Sequence, residues 1–312
     1  MRDSTTTMTK DLGLDSNPGR AVVAAVAAHG RAAVKELTRS GNSESYPDAV
    51  HEFRKHVKQM RALLRLVRPW LGDEGTDANA ELRSAGHLLA GARDATVAVE
   101  TLDALADGAV PHPWPSLKGR LAARAAAAND ELRLHSERGA AAVEVVGALS
   151  RRCEDWPVEA IGATELASAL ARSYRRGRRR LAEVEEAPTT EALHELRKRA
   201  KDLRYQVAFL APARPALLTA WEDELHLLTD QIGDDHDLAN VELAARPMGG
   251  LEGRAMAELR DRRSELQGNA VALARRLYAA RPATIRALVT AQLCEHEALR
   301  LPGVAAVAAQ PS

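Results

Sequence analysis

Two stretches of the chain, 143 residues apart, carry nearly the same eleven residues: HEFRKHVKQMR from His51 to Arg61, and HELRKRAKDLR from His194 to Arg204. In both, histidine, arginine, lysine, lysine and arginine stand at relative positions 0, 3, 4, 7 and 10. At 100° per residue these positions share one helical stripe about 120° wide. The opposite face carries Val50, Phe53, Val57, Met60 and Leu64 in one copy, and Leu193, Leu196, Ala200, Leu203 and Val207 in the other. A helix with an apolar back and a cationic front has been written twice. The chain must pack those backs and leave two rows of cations outside the core.

The offset extends beyond the two motifs. Pro69 maps to Pro212, Glu81 to Glu224, Leu82 to Leu225, Asp94 to Asp237 and Leu134 to Leu277. Periodicity and the Pro/Gly breaks predict helices at 18–40, 47–68, 77–106, 115–137, 140–155, 163–187, 189–210, 214–244, 252–280 and 283–299. Ser116, Thr164, Thr189 and Thr284 are the expected N-caps. The expected fold is all-α: two pseudo-symmetric antiparallel helical bundles, each of four helices and a short fifth, related by internal duplication. The boundaries are a flexible tail over 1–17, a first bundle over 18–158, a second over 159–300, and a flexible tail over 301–312.

Net charge does not announce a polyanion partner, since 43 basic side chains balance 43 acidic ones. Segregation does. From His51 to Arg68 there are six Arg or Lys against one acid, Glu52, and the block Arg172, Arg175, Arg176, Arg178, Arg179, Arg180 meets no acid until Glu183. Aromatics at 3% disfavour sheets. Cys153 and Cys294 are too few for a disulfide framework or a zinc site. The N-terminus lacks the order of a signal peptide, and no apolar run is long enough for a bilayer, so the expectation is a cytoplasmic protein without membrane association.

Surface helices ordinarily mix signs, with Glu and Lys four apart. Here Arg54, Lys55, Lys58, Arg61 and Arg65 repel one another, as do Arg197, Lys198, Lys201 and Arg204. Each like-charge pair costs a few tenths of a kcal/mol, which argues for an anion that offsets it. Arg forks and Lys point charges together suit phosphate groups, and cations on two helices exceed what one phosphate needs. A chain of phosphates fits better. Nucleic acid is disfavoured, because stacking platforms are missing: Phe53 and Phe209 lie on apolar faces and only Tyr205 flanks the stripe. No GxxxxGK[ST] loop occurs. Arg172, Arg175, Arg176 and Arg179 share one side of their helix and extend the basic surface. His51 and His194 open each stripe, so binding should strengthen as pH falls through the histidine range. Asp94 and Asp237 are candidates for carboxylates that orient a His or Arg of the basic helices. Glu191-x-x-His194 has di-metal spacing, but the adjoining cations oppose a divalent metal. No nucleophile or paired acid and base stands out. The expectation is a binder with no catalytic residues, metal or cofactor; the alternatives are a metal-dependent phosphohydrolase using Asp94, Asp235, His236 and Asp237, and a nucleic-acid-binding helical protein.

The two motifs, with Leu203-Arg204-Tyr205 and the later Gly233-Asp234, resemble the CHAD domain (conserved histidine α-helical domain) over about residues 18–300. The resemblance implies paired bundles around a basic cavity or pore that binds inorganic polyphosphate. Carried over by position, the ligand residues are His51, Arg54, Lys55, Lys58, Arg61 and Arg65, with His194, Arg197, Lys198, Lys201, Arg204 and Tyr205. CHAD domains are often fused to a triphosphate-tunnel catalytic domain, whose Glu-x-Glu-x-Lys signature does not occur here. The resemblance therefore implies a stand-alone, non-enzymatic module that targets or scaffolds at polyphosphate or its granules.

Overall fold

The apolar backs of the two basic helices are where the core forms. Phe53, Met60, Leu64, Leu196, Ala200, Leu203 and Val207 are fully buried. Burying a side chain of Leu, Phe or Met size stabilises by roughly 1.5–3 kcal/mol, several times the penalty of a like-charge pair on the front. Burial wins, and both helices form despite their self-repulsion. One continuous core runs from Ala21 to Leu293 and includes residues of both halves, with a smaller cluster around Leu121, Val241 and Leu259.

The computed structural model describes residues 17–41, 43, 45–89, 97, 99–101, 115–246 and 253–299. Within these the order is α1 (Pro18–Ser40), α2 (Tyr46–Leu88), α3 (Pro115–Leu134), α4 (Ser136–Arg152), α5 (Ala163–Glu186), α6 (Thr190–Leu210), α7 (Pro215–Ala245), α8 (Gly253–Leu277) and α9 (Pro282–Leu299). Short 3₁₀ turns follow α4 and α6. Among the described residues every regular element is helical, and no helix is long and apolar enough to cross a membrane.

The second element departs from the sequence expectation. A break over Gly72 to Gly75 was expected, but helix persists through Pro69 to Leu71 and resumes directly after Gly72 (φ 56°, ψ −129°). This left-handed value is tolerated by glycine because no Cβ is present to clash. The single residue folds α2 into an antiparallel hairpin. Arg54 Nη1 donates to the Leu89 carbonyl at 2.7 Å and Arg61 Nε to Asn79 Oδ1 at 3.2 Å. In a straight helix Arg54 and Leu89 would stand about 52 Å apart at 1.5 Å per residue. Shifted by 143 residues, Gly72 falls on Pro215 at the start of α7, and Leu134 falls on Leu277 at the end of α8.

Of the expected caps, Thr189 accepts from the Ala192 amide at 3.1 Å. Thr164 does not cap α5: the Gly162 amide donates to the Glu165 carboxylate at 3.2 Å, satisfying that end from inside the helix. Thr284 lies inside α9, which starts two residues earlier at Pro282, a residue suited to a first turn because it has no N–H to leave unpaired.

Candidate anion-binding seam

The two basic helices cross. Gln206 Nε2 of α6 donates to the Ala62 carbonyl of α2 at 2.7 Å, and Arg65 Nη1 lies 3.3 Å from Asp202 Oδ1. His51 and His194 lie roughly 16 and 18 Å along their own helix axes from this crossing.

Two groups of cations converge there. The first surrounds Lys201, whose ammonium is pushed down to about 7. Removal from water is the main cause, followed by the fields of Arg197, Lys58 and Arg204, which Asp230 opposes only in part. Lys58 belongs to the other basic helix, so the two stripes share one electrostatic environment. The second group is Arg61 and Arg65 of α2, Arg176 of α5 and Arg199 of α6, all within the field of Asp202. Partial removal from water, with neighbouring guanidiniums, holds Arg61, Arg65 and the more exposed Arg176 below the usual arginine range, while Asp202 pulls the other way.

Four arginines are oriented by the helix behind them. Arg54 donates to the Leu89 carbonyl, and Arg197 Nε to the Thr229 carbonyl at 2.8 Å. Arg61 donates to Asn79, and Arg204 Nε to Glu222 Oε1 at 3.4 Å. The last two pairs are equivalent under the 143-residue shift, with an acid replacing an amide in the second. Gly233 is explained by this arrangement: a Cβ there would stand 2.4 Å from Arg197 Nη2. The guanidinium passes over α7 where only glycine leaves room.

The remaining stripe residues are less concentrated. Lys55 stands 3.5 Å from Glu52, and Lys198 pairs with Glu195, which also lies 3.8 Å from Arg199. The fronts are thus not purely cationic: acids next to the stripe partly offset the repulsion seen in the sequence. Tyr205 is buried beside the Arg204 guanidinium, 5.6 Å from its ring centroid. From the arginine block, Arg176 joins the seam, and Arg172 lies over the Trp70 ring at 5.6 Å with its Nη2 buried and unpartnered. Arg175 and Arg179 are solvent-exposed.

The His194 and His236 ring centroids lie 4.9 Å apart with the planes tilted by 37°, and both Nδ1 atoms are buried without a hydrogen bond. Burial, then His236, Lys198 and Arg197, hold His194 below its ordinary value against Glu195. Asp237 is half-buried on α7, whereas Asp94 lies outside the described residues. The acid that fixes this end is Asp235. It is buried and accepts from Arg263 Nε at 2.9 Å and Gln267 Nε2 at 2.8 Å, and Arg263 continues to Thr190 Oγ1 at 3.1 Å at the start of α6. Among the described residues no three His, Cys, Asp or Glu side chains form a metal-ligand set.

Sequence periodicity did not single out Asp202, Arg199 or Gln206 as functional, because all three lie off the stripe. Their signal was a break in it, since Asp202 is an acid one position after Lys201.

The architecture and the seam define an all-helical protein with cations gathered where two helices cross. The sequence model of the CHAD domain family matches residues 21–245, and the chain belongs to that family. In fold it is similar to the crystal structure of the CHAD domain from the plant Ricinus communis, with a TM-score of 0.54 and 18% identity over 90% of this chain and 93% of that one. No curated protein matches the chain significantly.

Proposed function

We propose that the chain binds inorganic polyphosphate along the α2–α6 seam and acts without catalysis, recruiting the protein to polyphosphate stores or granules. The observation that carries the reading is the crossing of the two basic helices, where Gln206 meets Ala62, Arg65 meets Asp202, and Lys201, with Lys58, Arg197 and Arg204 around it, is held toward neutrality. Such a lysine favours a polyanion that restores its charge. The CHAD family is known from polyphosphate-binding contexts, which supports the same reading. A phosphate chain also suits the aromatics of the basic helices themselves: Phe53, Phe209 and Tyr205 are buried and offer no open stacking face there.

The test is a titration with polyphosphates of graded length at two salt concentrations, beside RNA as competitor. Binding that rises with chain length, weakens steeply with salt and resists RNA agrees with the proposal. Preference for RNA overturns it. Phosphate release that a chelator abolishes would instead make the protein a metal-dependent phosphohydrolase.

A further inference from the structure

Asp202 stands where an anion would be expected to bind. Its carboxylate lies 3.3 Å from Arg65 Nη1 across the seam and 3.1 Å from Arg199 Nη1 on its own helix, and its field reaches Arg61 and Arg176. One carboxylate thus stands among four guanidiniums, of which Arg199 also lies 3.8 Å from Glu195. The Asp202 and Arg65 side chains are only 17% and 14% exposed, which strengthens their interaction relative to a surface pair.

The sequence repeat carries no acid at the matching place. The position equivalent to Asp202 in the first basic helix is Gln59, buried and uncharged. Carboxylate and phosphate oxygens make the same fork-like contacts with guanidinium groups at similar distances. A phosphate group approaching Arg65 and Arg199 would therefore compete for the donors that Asp202 holds.

We infer that Asp202 is a displaceable internal counter-anion, occupying a phosphate position among Arg61, Arg65, Arg176 and Arg199 that an incoming phosphate chain must take from it. The inference rests on the polyphosphate reading and adds a threshold to it. An anion with few phosphates cannot offset the displacement, whereas a long chain gains contacts at Lys58, Arg197 and Lys201 as well. The carboxylate also limits repulsion among the four arginines while the seam is empty.

Calorimetric titration of the full chain and of Asp202→Asn with tripolyphosphate and with long-chain polyphosphate tests this. The variant should bind tripolyphosphate about tenfold tighter, the effect expected when a competing charge-assisted contact is removed. Its empty form should melt below wild type, and saturating tripolyphosphate should raise its melting temperature by more than it raises that of wild type. If wild type binds and Asp202→Asn binds no tighter, Asp202 is a structural clamp and this inference falls alone. If wild type binds no phosphate chain, the polyphosphate reading falls and this inference falls with it. Should the variant not fold, the Asp202 carboxyl carbon can be followed by NMR in wild type. It should shift on saturation with tripolyphosphate, and an unchanged resonance overturns the inference.

Discussion

Gln206 of α6 gives its side-chain amide to the Ala62 carbonyl of α2 at 2.7 Å, in full burial, at the crossing of the two basic helices. This bond sets the register in which Lys58 acts on Lys201 and Arg65 meets Asp202. Gln206→Ala removes the bond and leaves a gap, so a loss of about 1–3 kcal/mol in unfolding free energy is expected. Urea unfolding measures it. A midpoint and slope equal to wild type would show that the crossing is held by other contacts.

Gly233→Ala separates positioning from stability. The new Cβ meets the end of the Arg197 side chain, not the backbone. The guanidinium can swing away, so the unfolding midpoint should move little. In doing so it leaves the Thr229 carbonyl and the neighbourhood of Lys201. Polyphosphate affinity should fall several-fold with helix content unchanged by circular dichroism. Unchanged affinity would remove Arg197 from the binding surface.

The distribution of these residues explains what the sequence made legible. The helical stretches within the described residues and both apolar backs could be read because a period of 3.6 reports which face of a helix is buried. Phe53, Val57, Met60, Leu196, Ala200 and Leu203 are buried as that period requires. Periodicity does not report which helix meets the other face. Asp202 and Gln206 look like ordinary polar positions until α2 is laid across them, and His236 becomes a neighbour of His194 only through the packing of α7 on α6. The hairpin in α2 was obscured for a local reason. Pro69, Gly72 and Gly75 suggest a loop several residues long, yet one glycine at φ 56° makes the reversal.

Acid should weaken the first half through a buried histidine pair. His29 and His56 place their Nδ1 atoms 3.1 Å apart. Burial, then His56, holds His29 down to about 4, and burial also lowers His56. Both folded values lie below the ordinary 6.5, so the unfolded chain takes up protons first as pH falls. Stability present above pH 6.5 is lost as pH drops toward 4, with His29 contributing on the order of 3 kcal/mol. His29→Leu should flatten that part of the stability–pH curve, as measured by denaturation at stepped pH. An unchanged slope would show that the pair does not titrate as a buried unit.

Lys201 makes both stability and binding depend on pH, with signs that can be worked out separately. Its folded value of about 7 lies below the ordinary 10.5, so below pH 7 the folded protein carries the full penalty of the buried charge. Between pH 7 and 10.5 the unfolded chain holds the proton more tightly, and stability rises with pH. Lys201→Met should therefore stabilise the empty protein most at pH 6–7, with the difference from wild type closing towards pH 10.5. Binding runs in the opposite sense. A phosphate chain beside Lys201 favours the ammonium, so near pH 8 binding draws a proton from solution and weakens as pH rises. His194, also held low, should add to this at more acidic pH. Calorimetry at pH 8 in two buffers of different ionisation enthalpy reads the proton count, which should be positive for wild type and smaller for Lys201→Met. Equal heats in both buffers for wild type would mean that Lys201 lies outside the reach of the bound chain.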